Sequence, residues 1–314
     1  MKVTEHLDRA TGPLISFEII PPQRGGSVRD LLGLVDDLSQ HHPKFIDITS
    51  HPAEVVYEET KEGIQRHIKR KRPGTLGVCA LVQNKYNIDA VPHVLCHGFT
   101  QQETEDFLRE LRYLGIDNVL AVRGDDKGYR KPLRDGKTAN AYAVDLIKQI
   151  DDMNAGRFLD EYLDAAPMDF CVGCSGYPEK HFESPNIDSD LRRTKEKIDA
   201  GAEYIVTQMF FENRHYFDYV ERCRAAGITV PIIAGLKVLT TKRHLTSIPR
   251  TFHCEIPDAL SHEVETQGKH ATEIGIQWAT QQVKELLSAG VPSVHFYVMS
   301  SAKAVNTVIA NALA

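Results

Sequence analysis

The chain has 314 residues, of which 42% are hydrophobic and 25% charged, and its formal net charge is −6. This composition is typical of a globular protein with a large core, and the length fits either two domains or one large barrel. A mildly acidic chain lacks the basic surface that nucleic acid requires. No apolar run approaches the roughly 20 residues that span a bilayer, and no early segment has the pattern of a secretory leader. We therefore expect a soluble, cytoplasmic protein.

Two local patterns have ordinary structural interpretations. Cys171 and Cys174 form a CxxC inside the apolar run Met168–Cys174, but no second CxxC accompanies them. We expect buried thiols on or near a strand, not a metal or redox site. The basic run Lys69–Arg72 follows a stretch, Ala53–His67, in which we predict a helix, and cations suit the negative end of a helix.

Short apolar runs alternate with longer helical patterns from one end of the chain to the other. Apolar residues recur at spacings of three and four in the helical patterns, most clearly between Phe107 and Leu114. Eight strands are predicted, at Leu14–Ile20, Lys44–Thr49, Ala90–Cys96, Asn118–Val122, Asp169–Cys174, Tyr204–Met209, Pro231–Leu236 and Ser293–Val298. Helices are predicted between them at Val28–Leu38, Thr100–Leu114, Ala141–Asp152, Asp190–Ala200, Arg214–Ala226 and His270–Ser288.

Three links between a helix and the next strand share one pattern. Gly115, Gly201 and Gly227 each follow a helical stretch, where glycine tolerates the left-handed C-terminal position. Short links of this kind between alternating strands and helices indicate a parallel sheet. Eight units in a chain of this length fit a single (β/α)8 TIM barrel, one domain over residues 1–314. An open doubly wound sheet is the alternative, but no GxGxxG follows the first strand.

Two segments fall outside this alternation. The apolar stretch Leu76–Tyr86 is predicted to be a short extra helical segment on the barrel rim, before the third strand. Arg250–Gly268 is a longer connection before the last helix and strand.

The first strand carries the strongest candidate for catalysis. Active sites of β/α barrels lie at the C-terminal ends of the strands, and side chains alternate along a strand, so Ser16, Glu18 and Ile20 share one face. Burying an ionised carboxylate in an apolar strand is costly, so the pKa of Glu18 should rise, as a general acid near neutral pH requires. A structural ion pair with a buried Arg or Lys is the alternative.

Polar residues also end the later strands. Arg123 and Asp125 flank Gly124 at the end of the fourth strand, where they suit either a polar cofactor or a loop salt bridge. The other candidates are single polar or aromatic side chains near the ends of the third, fifth and sixth strands, namely His93, His97, Tyr177, His181 and Gln208. A buried Gln without a partner is costly, so a ligand is one candidate partner for Gln208.

Several of these residues belong to longer stretches, namely SFEIIPP (Ser16–Pro22), PKFIDIT (Pro43–Thr49), VPHVLC (Val91–Cys96), LGIDNVLAVRGD (Leu114–Asp125), GYPEKH (Gly176–His181), DLRRTKEKIDAGAEYIVTQMFF (Asp190–Phe211) and HFY (His295–Tyr297). With these stretches in this order, nearly the whole chain resembles the methylenetetrahydrofolate reductase family. The resemblance implies a β/α barrel that holds FAD non-covalently at its top and takes electrons from NADH or NADPH. It further implies ping-pong reduction of 5,10-methylenetetrahydrofolate to 5-methyltetrahydrofolate at one shared site, in one-carbon metabolism and methionine biosynthesis.

The resemblance also assigns roles to residues. Glu18 matches the general acid, which protonates the folate so that its methylene bridge opens. Asp125 matches a carboxylate beside the flavin and the pterin, and Gln208 an amide that contacts nicotinamide and folate. Cofactor-binding positions are implied at Thr49, Ser50, His93, Arg123, Gly124, Asp125, Tyr142, Ala143, Tyr177, His181, Asp190, Arg193 and Lys197, with Thr49 a nicotinamide contact. Substrate-binding positions are implied at Gln208, His244 and Tyr297, and no metal is expected.

The chain departs from the family pattern near the seventh and eighth strands. Lys237 lies where the family often has a Pro-containing turn, and the folate-facing Gln and the aromatic that follows it align with His244 and Ile248. Ser301 aligns with an Arg that touches folate in the family. These departures fall on folate contacts and not on the flavin site. We expect a bacterial-type catalytic domain without a regulatory domain, forming a homo-oligomer.

Three rival interpretations remain at this point. One is another FAD-dependent barrel oxidoreductase, similar to proline dehydrogenase. Another is a metal-dependent hydrolase that uses His51, His93 and His97, although no HxH ends the first strand. The third is a non-catalytic subunit of the same fold.

Overall fold

The computed structural model describes residues 1–72, 74–125, 131–161, 165–299 and 301–314, and within them ten strands form. The strands are β1 (Leu14–Ile19), β2 (Phe45–Ile48), β3 (Glu54–Thr60), β4 (Gly63–Lys69), β5 (Asp89–Leu95), β6 (Asn118–Val122), β7 (Cys171–Gly176), β8 (Tyr204–Thr207), β9 (Ile232–Leu236) and β10 (Ser293–Met299). Eight of them run parallel and close into a barrel in the order β1-β10-β9-β8-β7-β6-β5-β2. The predicted TIM barrel is confirmed, because all eight predicted strands coincide with barrel strands.

Helices surround this barrel. They are α1 (Val3–Arg9), α2 (Val28–Ser39), α3 (Leu76–Tyr86), α4 (Gln101–Tyr113), α5 (Ala143–Asn154), α6 (Ile187–Asp199), α7 (Asn213–Ala225), α8 (His244–Phe252), α9 (Asp258–Thr266), α10 (Ala271–Ser288) and α11 (Lys303–Leu313). Gly115, Gly201 and Gly227 have φ angles of 71°, 116° and 75°, which is the left-handed conformation expected after a helix. In the part of the chain that the structure describes, no helix is long and apolar enough to cross a membrane.

Buried side chains fill the interior of the barrel. Phe45, Val91 and Tyr204 belong to the buried cluster inside it, together with Val3 of α1. Helix α1 closes the N-terminal end, where the Val3 N–H donates to Asn118 Oδ1 at 2.8 Å. The opposite, C-terminal end is therefore the one at which strand ends and loops can form a site.

The helix predicted over Ala53–His67 is wrong. Residues 54–69 form an antiparallel hairpin, β3 and β4, in which Tyr57 is paired with Arg66. Valine and tyrosine favour strands, and Gly63 supplies the positive φ of 125° at the turn. The basic run Lys69–Arg72 therefore caps no helix.

The hairpin also changes the interpretation of Leu76–Tyr86. This segment is a helix, as predicted, but it packs on β2 and β5 as the regular helix between these strands. The extra element of this unit is the hairpin. The connection predicted at Arg250–Gly268 contains α9, and Cys171 and Cys174 are buried free thiols in β7, as expected.

Candidate functional site

Glu18 lies at the C-terminal end of β1, between two neighbouring strands. The strand register pairs it with Asp47 of β2 and Tyr297 of β10. Its side chain is 14% exposed, and its Oε2 lies 3.5 Å from Nε2 of His93, which β5 contributes. The same His93 nitrogen is 3.8 Å from Oδ2 of Asp47. The barrel thus gathers two acidic side chains around one histidine.

Charge and burial set the proton affinity of this cluster. Burial raises the pKa of Glu18 to about 7, and the charges of Asp47 and Asp125 add to the increase, whereas those of His93 and Lys237 oppose it. Burial alone would lower the pKa of His93, but Asp47 and Glu18 outweigh it and raise that pKa. Near pH 7 the carboxyl of Glu18 can therefore hold a proton and release it.

Asp125 follows β6 at the same end of the barrel as Glu18. Asp125 is exposed at the end of β6, and its charge acts on Glu18. It follows Gly124, whose φ is 85°, and a Cβ at Gly124 would lie 3.4 Å from Leu95. Glycine here therefore lets the chain pass close to the end of β5.

A groove at the same, C-terminal end of the barrel collects most of the predicted cofactor positions. Its volume is about 830 Å³, and it lies between the ends of β6 and β7 and helices α5 and α6. Its lining includes eight predicted positions, namely Arg123, Tyr142, Ala143, Tyr177, His181, Asp190, Arg193 and Lys197. Ser50 and His93 line a separate cavity of about 410 Å³, beside the hairpin and α4.

Cations and one unsatisfied acceptor characterise the groove. The Lys197 ammonium, which is almost buried, donates to the main-chain oxygen of Ser175 and lies 5.9 Å from the centre of the Tyr177 ring. Arg193, one helical turn earlier, is exposed and pairs with Glu196 at 2.9 Å. Asp190 accepts from the Ser184 hydroxyl at 2.9 Å, but its buried Oδ2 has no partner among the described residues. Such a groove suits a ligand with anionic groups and hydroxyl donors.

Side chains at the predicted substrate positions already make hydrogen bonds within the protein. The Tyr297 hydroxyl donates to the main-chain oxygen of Thr207 at 2.6 Å. Gln208 accepts the N–H of Met209 through its own Oε1, so part of its amide is satisfied locally. Nδ1 of His244 accepts the N–H of Thr240 at 3.2 Å. The buried hydroxyl of Thr49 has no partner among the residues described.

The metal-dependent rival rests on His51, His93 and His97, which all lie in the described part of the chain. Within the described ranges, no group of three His, Cys, Asp or Glu side chains could hold a metal ion. Asp47 and Lys237 are the partners of Glu18 that sequence reasoning missed. Asp47 could have been identified from the sequence, because it is a carboxylate in the buried strand FIDI. The sequence marks Lys237 only as a residue that differs from the family's Pro-containing turn.

Comparisons with known proteins point to one family. The sequence profile of the family described as methylenetetrahydrofolate reductase matches residues 2–313. Methylenetetrahydrofolate reductase 2 of Saccharomyces cerevisiae is 30% identical over 97% of this chain, and methylenetetrahydrofolate reductase 1 of Schizosaccharomyces pombe is 27% identical over 98%. The chain spans about half the length of these two relatives, 48% of each.

A bacterial relative and a solved structure extend the comparison. The 5,10-methylenetetrahydrofolate reductase of Escherichia coli is 28% identical, and the match covers 92% of this chain and 87% of that protein. A Clostridium thermocellum protein, described as binding two copies of 5-methyl-5,6,7,8-tetrahydrofolic acid, superposes with a TM-score of 0.60 at 14% identity. The superposition covers 98% of this chain and 96% of that one, and it shows that the two share a fold.

Proposed function

Because this chain belongs to the methylenetetrahydrofolate reductase family, we propose that it reduces 5,10-methylenetetrahydrofolate to 5-methyltetrahydrofolate. We propose NADH or NADPH as electron donor and FAD as bound cofactor. The observation that carries the proposal is Glu18: a carboxyl with a pKa of about 7 stands at the C-terminal end of the barrel, the end that also holds the groove lined by Lys197 and Asp190. This is the acid that opening of a methylene bridge needs at neutral pH.

The groove fits FAD. Arg193 and Lys197 supply positive charge for a pyrophosphate, and the buried Oδ2 of Asp190 is an acceptor for a ribose hydroxyl. Tyr142 and Tyr177 add aromatic surface to the same groove. FAD held in this groove would supply the hydride chemistry that links the nicotinamide to the folate.

The side chains at the mouth divide the remaining work. Glu18 donates its proton to a folate nitrogen as the methylene bridge opens, and His93, held between two carboxylates, orients it. Asp125 keeps a negative charge at the mouth, which disfavours further negative charge beside it and so favours departure of the hydride. Gln208 directly follows β8, and its amide contacts the nicotinamide and the folate, which bind at the same end of the barrel one after the other.

Stopped-flow measurement of the two half-reactions tests this proposal. The purified protein should be yellow, NADH or NADPH should bleach it, and methylenetetrahydrofolate should restore the colour. Glu18→Gln should keep the first half-reaction and slow the second by roughly a hundredfold or more. In the wild type, the second half-reaction should decline as the pH rises through about 7, where Glu18 ionises.

Glu203→Gln is the matched control. Glu203 lies at the N-terminal end of the barrel, where its Oε1 accepts the N–H of Val172. This variant should leave both half-reactions unchanged. A colourless protein that takes up no FAD would contradict the proposal, and equal loss of both half-reactions in Glu18→Gln would contradict the acid role of Glu18.

A further inference from the structure

Lys237 directly follows β9, at the same height along the barrel axis as Glu18. The register pairs Leu236 of β9 with Phe296 of β10, and it pairs Tyr297, the next residue, with Glu18 of β1. Nζ of Lys237 donates to the main-chain oxygen of Tyr297 at 2.7 Å. The Lys237 ammonium is therefore fixed to β10, the strand that lies between β9 and the strand of Glu18.

The two side chains also act on each other through their charges. Burial lowers the pKa of Lys237 to about 8, and the charge of Glu18 partly reverses this decrease. In return, the charge of Lys237 lowers the pKa of Glu18. His244 lies in the same field, since burial and the Lys237 charge lower its pKa.

Lys237 differs from His93, whose charge also lowers the pKa of Glu18. The groups that act on Glu18 are Asp47 from β2, His93 from β5, Asp125 beyond β6, Lys237 beyond β9 and, by pairing, Tyr297 of β10. His93 is shared, because its Nε2 lies 3.5 Å from Glu18 and 3.8 Å from Asp47. Lys237 is tethered to a neutral carbonyl, so its charge is not divided in this way.

We propose that Lys237 is a positioning residue for the acid, and that its tethered ammonium stabilises the carboxylate that Glu18 becomes when it gives up its proton. This inference rests on the proposed function. In the step, the O–H bond of Glu18 breaks and an N–H bond forms on the folate, while Lys237 exchanges no proton. A fixed charge aimed at a site where opposite charge develops lowers the barrier, because nothing has to reorganise.

Infrared titration of the Glu18 carboxyl in the FAD-loaded protein tests this directly. The signal of the protonated carboxyl is assigned by its absence in Glu18→Gln, and its titration needs no turnover. In Lys237→Met the midpoint should move to higher pH by roughly one unit, because an opposite charge nearby has been removed. The alkaline limit of folate-dependent reoxidation should move with it, and Lys237→Arg should restore both towards the wild-type values.

Lys242→Met is the control. Lys242 also donates to a main-chain oxygen, that of Glu265 at 3.1 Å, but it lies on the surface. This variant should leave the titration where it is. Lys237→Gln serves as a second neutral variant if the methionine variant does not fold.

The outcomes separate the two proposals. If the wild type is not reoxidised by methylenetetrahydrofolate at any pH, the proposed function fails, while the infrared titration still tests the coupling. If Glu18 titrates at the same pH with and without the Lys237 ammonium, the role of Lys237 is refuted. A lower melting temperature with an unmoved titration would mean that Lys237 acts in folding alone.

Discussion

Replacing Glu18 by glutamine should make the folded protein more resistant to alkaline pH, although it removes the proposed acid. Burial raises the pKa of Glu18 from an ordinary 4.5 to about 7. A carboxyl with a raised pKa contributes its stability below pH 4.5, and this contribution is lost as the pH rises through 7. At 1.36 kcal/mol per pH unit, the difference between the two pKa values corresponds to about 3 kcal/mol.

Urea unfolding at two pH values measures this effect. Between pH 5.5 and 8.5, the free energy of unfolding of the wild type should fall by about 2 kcal/mol relative to Glu18→Gln, since part of the loss occurs below pH 5.5. Trp278 is the only tryptophan of the chain, and its Nε1–H donates to the Phe211 main-chain oxygen at 2.8 Å, so its fluorescence reports unfolding.

Glu103→Gln provides a control of opposite sign. Burial alone would raise the pKa of Glu103, but hydrogen bonds from Lys131 and Thr100 lower it. The stability that Glu103 contributes is present above pH 4.5 and lost below it, so its substitution should cost the same at pH 5.5 and 8.5. A constant difference between wild type and Glu18→Gln across this range would refute the reasoning, because Glu18 would then titrate as an ordinary carboxyl.

Two further substitutions test packing and the groove. In Gly275→Ala the new Cβ would lie 1.7 Å from the Leu239 main-chain oxygen, so we expect a loss of about 3 kcal/mol in the same urea titration. Gly33→Ala, in α2 with nothing within 4 Å, should instead stabilise by roughly 0.5 kcal/mol. Lys197→Met should weaken FAD binding more than tenfold, measured by flavin fluorescence. Lys195→Met, which removes an ion pair with Asp199, should leave FAD binding unchanged.

The barrel could be predicted from the sequence because its strands are buried on both faces. A strand of this kind is a continuous apolar run in the sequence, as in the segments of β6 and β9. Gly115, Gly201 and Gly227 also mark the ends of three helices and so the approach of the next strand. Both patterns are local in the sequence, so they can be recognised without knowing which residues are in contact in the folded protein. These patterns do not fix where each strand ends: β8 ends at Thr207, two residues before the predicted Met209.

The hairpin could not be predicted in this way, because it has no core. Its apolar side chains are largely exposed, with Tyr57 at 68% and Ile64 at 74%. Without a buried face, a segment has no clear period of two, and three consecutive apolar residues at 55–57 fit a helix as well as a strand. A helix predicted at Ala53–His67 would already connect the second and third predicted strands. Leu76–Tyr86 would then be a second helix in this connection, although among the residues that the structure describes it is the only one.

The acid itself could be predicted, but its strength could not. A carboxylate in an apolar strand is visible in the sequence, and so Glu18 was found. Its pKa, however, depends on Asp47, His93, Asp125 and Lys237, which come from four other parts of the barrel and act on Glu18 together only because the sheet closes. Burial raises the pKa of Glu18 most, two of these charges add to the increase and two oppose it, and together they set the value near 7. A relative that lacks the Lys237 cation should therefore need another compensating group at the mouth, or should work at a higher pH.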